Sequence, residues 1–433
     1  MVLVQEMFSE RRKGRRFFGQ RSPMIWCKVI KACRTRTFCG TTPNAFKMKA
    51  FFSLLSITLA LALSSHGFPG PTHGFVKTDG TRFTLNGERF TAVGGNSYWV
   101  GLSGLSPSDM HKAFSDIAKA GGTAVRTWGF NDVLSPGTGN FYQSWSGSKP
   151  TINIGPTGLG NFDNVVAAAK ANNIRLLVAL TNNWGDFGGM DVYVNSIVGQ
   201  GQPHDLFYTD PRVMSAYKNY VRTFVKRYEN EPTIMAWELA NEPRCRGSTG
   251  VTSGNCTTAT VTKWASTMSA FIKDIDRNHL VAMGDEGFFN QPSSPLYPYQ
   301  GTEGVDFEAN LKIKTLDFGT FHLYPESWGQ TADPSGFGVQ WILDHAALMK
   351  SQNKPVLMEE FGVPDIKSTA YPAWYSTIVN SSLTGDLIWQ AGSNLTNGLT
   401  ANDGYTIYPS DPIYALEISH AAALKARDRR EHH

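Results

Sequence analysis

Eight short segments rich in β-branched and aromatic residues recur along residues 67–433, with helix-type patterns lying between them. The segments are Phe90–Asn96, Ala124–Phe130, Ile174–Asn182, Ile234–Asn241, His279–Gly284, Asp317–His322, Pro355–Glu360 and Asp386–Gln390. Strands joined through helices run parallel, because a tight hairpin cannot make the crossover. Eight such units fit an α/β fold closed as a (β/α)8 TIM barrel. A doubly wound open sheet competes, but no glycine-rich phosphate loop follows any of these strands. Helix starts are visible at Ser106-Pro107-Ser108-Asp109 and at Asp210-Pro211, where a capping side chain precedes a proline at the first helical position. After Asp210, Val213, Tyr217, Tyr220, Val221 and Phe224 recur at helical spacing. Val261–Ile275 and Val339–Met349 read the same way. Ahead of the barrel, Asp79-Gly80 and Asn86-Gly87 separate alternating apolar runs, which predicts an N-terminal β-hairpin.

The first 47 residues are different in kind. They hold eleven Lys/Arg against Glu6 and Glu10, and three of the five cysteines, Cys27, Cys33 and Cys39. Met48-Lys49 then opens a run of 14 mostly apolar residues, Ala50 to Leu63, followed by small residues. That is the layout of a secretory signal peptide, and it is shorter than the ~20 residues a membrane span takes. We read residues 1–47 as a non-native or disordered upstream extension, 48–66 as the signal peptide and 67–433 as one barrel domain. The expected location is extracellular. Without the extension, totals of 40 Lys/Arg and 36 Asp/Glu fall to 29 and 34, so the formal net charge moves from +4 to −5. A mildly acidic secreted chain offers no electrostatic case for nucleic acid, and it is not expected to sit in a membrane. It is expected to be a monomer. Cys245 and Cys256 remain as an even pair eleven residues apart, which suggests one disulfide contributing about 2–3 kcal/mol. Asn255, Asn380 and Asn394 each open an N-glycan acceptor triplet.

The chemistry gathers where strands end. The fourth closes on Asn241-Glu242-Pro243-Arg244 and the seventh on Glu359-Glu360-Phe361-Gly362. Side chains at the C-terminal ends of barrel strands point into one mouth. Arg126, Trp184, His322, Tyr324 and Trp389 stand at the ends of other strands, so the same mouth should receive them. Two facing carboxyls are the minimal machinery for breaking a glycosidic bond. In that reading Glu242 is the acid/base and Glu360 the nucleophile. Asn241 donates to a sugar 2-hydroxyl, Arg126 and Tyr324 hold Glu360 ionised, and Trp389 stacks under the ring. Strand alternation predicts that only one of Glu359 and Glu360 faces the mouth. No His-Glu-x-x-His or similar ligand spacing occurs, so neither a metal nor a cofactor is expected.

These motifs resemble glycoside hydrolase family 5, whose members carry Asn-Glu-Pro on strand four and Glu-Phe/Tyr-Gly on strand seven. Within the family, Arg126-Thr-Trp-Gly-Phe-Asn131-Asp132, Asn241-Glu-Pro-Arg244-Cys245, His322-Leu-Tyr324-Pro and Met358-Glu-Glu-Phe-Gly362 are similar to the fungal endo-β-1,4-mannanases. The resemblance spans roughly Gly74 to Tyr414. It implies internal, retaining hydrolysis of β-1,4-mannan, with Arg244 binding sugar on the leaving-group side and Trp184 lining the cleft. The group often has a close cysteine pair after Asn-Glu-Pro-Arg and further disulfides. Here Cys245 finds its partner only at Cys256, which leaves the conformation of that loop open. Two other functions fit the same residues: an endo-β-1,4-glucanase on the same barrel, and a non-catalytic carbohydrate-binding wall protein. The latter should have lost one of the two glutamates.

Overall fold

Of the two expected turns, Asn86-Gly87 forms as its sequence requires, whereas the first is centred on Gly80-Thr81 because Asp79 still pairs with Arg82. Asn86 and Gly87 both take positive φ (55° and 86°), the backbone of a type I′ hairpin turn. They join β2 (Arg82–Leu85) to β3 (Glu88–Arg89), and β2 pairs antiparallel with β1 (Val76–Asp79). This computed structural model describes residues 74–431, so the expected extension and signal peptide lie outside the described residues. Pro71–His433 forms one unit.

The eight expected strands are all present. They are β4 (Ala92–Asn96), β5 (Ala124–Trp128), β9 (Arg175–Ala179), β10 (Ile234–Glu238), β11 (Leu280–Ala282), β12 (Gly319–Leu323), β13 (Val356–Phe361) and β14 (Gly385–Ile388). Between β5 and β9 the chain inserts β6 (Asp132–Val133), β7 (Gln143–Ser146) and β8 (Lys149–Ile152), a small sheet of its own. The barrel strands pair in parallel in chain order, β4-β5-β9-β10-β11 on one side and β4-β14-β13-β12 on the other. No ladder joins β11 to β12. Isolated bonds bridge that seam, Asp317 N to the Val281 carbonyl at 2.8 Å and His322 N to the Glu286 carbonyl at 3.2 Å. The fold is a (β/α)8 barrel.

Helices wrap the outside. In Pro211–Tyr228 the Asp210 carboxylate accepts from the amides of Arg212 and Val213, and the expected apolar stripe is buried. Ser106 caps Pro107–Lys119 in the same manner, accepting from Asp109 N at 3.1 Å. The helices read as 261–275 and 339–349 are longer at their starts, Thr258–Ile275 and Pro334–Gln352. No described helix is long and apolar enough to cross a membrane.

Two cores result. The larger lies between strands and helices. The smaller fills the barrel, where Ala92, Ala124, Leu177, Leu280 and Leu357 meet Val76 and Phe83 of the hairpin. Phe83 packs edge-to-face on Phe318, just before β12, with centroids 5.2 Å apart. The hairpin therefore plugs the N-terminal end of the barrel, opposite the C-terminal mouth.

Candidate active site

Several residues placed on strands by their sequence lie just beyond them. The β10 ladder ends at Glu238, and Asn241 meets Asn182 as an isolated bridge. Glu242 then adopts a left-handed φ of 50°, a conformation costing about 1–3 kcal/mol for a non-glycine residue. Its amide is held by the Gly284 carbonyl at 2.8 Å. Position 284 has φ +83°, and a Cβ there would fall 2.0 Å from the Ala240 carbonyl oxygen, so it takes glycine.

Both key carboxyls are buried, and their partners differ. His322 Nδ1 lies 2.8 Å from Glu242 Oε1, and the Trp184 indole N–H donates to Glu242 Oε2. Glu360 receives the Arg126 guanidinium on Oε1 and the Tyr324 hydroxyl on Oε2 at 2.7 Å. Burial pushes the Glu360 carboxyl above its ordinary value, while His322, Arg126 and the Tyr324 hydroxyl pull it back. The expectation that Arg126 and Tyr324 hold it low is thus outweighed by desolvation. Burial and the Glu360 charge push the Tyr324 phenol well up, so it stays a donor. Burial lowers His322, against the pull of the Glu360 charge. Glu242, His322 and Glu360 set one polar atom each within 4.8 Å of one another. Those atoms are committed to the network just described, and the Arg126 guanidinium supplies its positive charge.

Arg126 is the hub. Nε donates to Glu238 Oε2 at 2.8 Å, and Nη2 to Glu238 Oε1 at 2.5 Å and Asn241 Oδ1 at 2.8 Å. Nη1 serves Asn96 Oδ1 at 3.2 Å and Glu360. The Asn241 amide is fixed from its other side by Asn182 Oδ1 at 3.0 Å, and this leaves one Nδ2 hydrogen to donate. Trp389 is half-buried, stacks on Tyr98 at 5.3 Å, and gives its indole N–H to Asp403 at 2.8 Å. Trp128 lies beside it and under the Arg126 guanidinium at 4.7 Å.

Two expectations are corrected. Glu359 and Glu360 both point inward. The β12–β13 register jumps from Phe321↔Met358 to His322↔Glu360, so Glu359 is an extra residue in a bulge, which breaks the alternation. Arg244 does not hold its fork open toward sugar. Nε and Nη2 are spent on Glu286, and Nη1 donates to the Tyr297 hydroxyl at 3.0 Å. Burial pushes Glu286 up to about 7, disfavouring its charged form, and the Arg244 guanidinium pulls the other way. The guanidinium face covers Trp184 at 5.3 Å. Cys245 and Cys256 are joined as expected, with Cα atoms 5.6 Å apart. Asn255, Asn380 and Asn394 are all exposed.

Residues 93–395 match the family described as Cellulase (glycosyl hydrolase family 5). The chain belongs to glycoside hydrolase family 5. Among relatives it is 40% identical to mannan endo-1,4-beta-mannosidase A of Podospora anserina, over 88% of this chain and 99% of that protein. It is 39% identical to mannan endo-1,4-beta-mannosidase A of Aspergillus aculeatus, over 87% and 98%. Among solved structures, the endo-1,4-beta-mannanase from Rhizomucor miehei superposes with a TM-score of 0.76 at 40% identity, over 82% of this chain and all of that one.

Within this family 5 barrel the mouth gathers Arg126, Trp184, Asn241, Glu242, Arg244, His322, Tyr324, Glu360 and Trp389. Sequence reasoning missed Glu238, Asn96, Glu286 and Asp403. One signal for Glu238 was available: a lone acid in the apolar strand Ile234–Glu238, near a buried arginine that needs a counter-charge.

Proposed function

We propose that the chain is a secreted endo-β-1,4-mannanase that cleaves internal bonds of mannan, glucomannan and galactomannan with retention at the anomeric carbon. The observation that carries the mechanism is the pairing of Glu242 and Glu360, an oxygen of each within 4.8 Å of the other. Retaining enzymes keep their carboxyls about 5–5.5 Å apart, whereas inverting ones leave about 6.5–9.5 Å for a water. In this reading Glu360 attacks the anomeric carbon while Glu242 gives its proton to the departing glycosidic oxygen. A glycosyl ester on Glu360 results. Water then enters, Glu242 takes its proton, the new C–O bond forms and Glu360 leaves as carboxylate. The remaining Asn241 hydrogen is available to the sugar 2-hydroxyl, and Trp389 offers a ring-sized apolar face.

The substrate class rests on relatives at about 40% identity that are named for mannan and matched over nearly their whole length. A panel of galactomannan, glucomannan and carboxymethyl cellulose, read by reducing ends, tests it. Faster cleavage of the mannans is expected, and preference for the cellulose derivative would replace this reading with an endo-glucanase. For secretion, mass spectrometry of the secreted protein should find an N-terminus between Leu63 and Phe68. Peptides from residues 21–47 in that sample would refute it.

A further inference from the structure

Glu359 is fully buried, and neither carboxyl oxygen has a hydrogen-bond partner. Charge is close by: Oε1 lies 3.5 Å from Arg126 Nε, and Oε2 lies 3.5 Å from His322 Nε2. Yet Arg126 has five N–H groups, and all five are taken, by Glu238 twice and by Asn241, Asn96 and Glu360 once each. The Asn96 amide reaches only the Glu359 backbone carbonyl, at 2.8 Å. Burial disfavours the charged form of His322, and its Nε2 is itself without a partner. One guanidinium thus already serves two carboxylates, Glu238 and the nucleophile. A third ionised carboxylate, buried and without a donor, would be left uncompensated, at a cost of several kcal/mol.

A proton resolves the arrangement. Glu238 Oε2 and Glu359 Oε1 both face Arg126 Nε, at 2.8 and 3.5 Å, so the two carboxyls converge on one N–H, and two carboxyl oxygens attract only when a hydrogen stands between them. We propose that Glu359 is kept as a neutral carboxylic acid whose proton is donated to Glu238, and that it acts as a positioning residue holding Glu238, and through it Arg126, in place against the nucleophile. The groups facing it are Glu238 of β10, Arg126 of β5, His322 of β12 and its neighbour Glu360. Burial, followed by the Glu238 charge, holds the Glu359 carboxyl well above its ordinary value, and Arg126 opposes them. The bulge in β13 has a use in this light, since it places a neutral acid and an ionised one side by side, both turned inward.

The inference rests on Glu360 being the nucleophile, and its first test needs no substrate. Infrared spectra of the wild-type protein near pH 6 should contain the carbonyl stretch of a protonated carboxylic acid that Glu359→Gln lacks. Identical spectra in that region would overturn the proposal, whichever polysaccharide the enzyme prefers. The second test is kinetic. Glutamine copies the shape and the donor of a neutral acid, so Glu359→Gln should keep kcat within about threefold of wild type. Glu359→Leu loses the donor and should lower kcat at least tenfold with KM little changed, in a protein whose melting transition remains cooperative. If Glu359→Gln lost a hundredfold or more while still folded, the ionised form would be the working one and the proposal would fail. Equal losses in the two variants would overturn it as well.

Discussion

The two ends of the barrel interior are built from opposite materials. At the N-terminal end, alanines and leucines of the strands close on Val76 and Phe83 of the hairpin. A few residues further along the same strands the interior holds Arg126, Glu238, His322, Glu359 and Glu360, each no more than 2% exposed. Burial at the lower end is favourable by itself, by about 25 cal/mol per Å² of apolar surface. At the upper end every charge is costly to bury and is offset only through its partners. Apolar packing fills one layer of the cavity and paired buried charge the other. Each layer should then respond to mutation in its own way.

The largest contrast should come from the upper layer. Glu360→Gln is expected to cut turnover by at least about 10³-fold, because an amide cannot attack the anomeric carbon. Glu242→Gln should cost about 10²–10⁴-fold, the usual span for a lost general acid. Both variants should melt within a few degrees of wild type. A collapse of the melting temperature would mean that the upper layer also carries the fold.

In the lower layer, Phe83→Ala should remove about 3–5 kcal/mol of stability, read by denaturant unfolding, because it opens a cavity under the plug. Its kcat well below the melting temperature should stay near wild type, and a matching loss of activity would break the comparison.

A smaller effect should follow pH. Burial pushes Asp132 and Asp285 up from 3.8 to about 7, and Glu286 from 4.5 to about 7. Their folded values exceed the unfolded ones, so the native state keeps protons the unfolded chain has shed. The stability they contribute is complete below about pH 4 and is lost as pH rises through about 7. The melting temperature should therefore decline from pH 5 to pH 8, and Asp132→Asn should make that decline shallower. An unchanged slope would remove Asp132 from the account.

The smallest effect should be at Arg244. With its fork bound to Glu286, Arg244→Lys keeps the charge and loses the bidentate geometry. It should behave like Arg244→Ala, with altered product pattern and weaker transfer to sugar acceptors but turnover within about tenfold of wild type. If neither variant changed the products, Arg244 would belong to the structural layer.

How much of this was written in the sequence depends on whether the signal is local. The eight strands, the Asn86-Gly87 turn and the Asp210 and Ser106 caps follow from short patterns, and they appear where those patterns place them. Glu242 and Glu360, the proposed acid/base and nucleophile, were legible as a pair that meets in the mouth because each sits in a motif at a strand end. The β13 bulge was not, since strict alternation is the default and only the pairing with β12 shows the extra residue. The hub around Arg126 was half visible. Its acceptors are Asn96 of β4, Glu238 of β10, Asn241 just beyond β10 and Glu360 of β13, and only closure of the barrel brings them together. The Arg244–Glu286 pair failed for the same reason, as Glu286 arrives from a connection with no periodic pattern.

The seam between β11 and β12 bears on how the molecule lets go of what it holds. Every other stave of the barrel is tied to both neighbours by a ladder, whereas these two are linked by isolated bonds. The connection that leaves β11 carries Glu286, Tyr297 and Glu303, all gathered around Arg244. Segments with sparse backbone bonding open at the lowest free energy. The residues around Arg244, which the proposed mechanism puts on the leaving-group side, are thus mounted beside the one seam of the described barrel that no ladder closes.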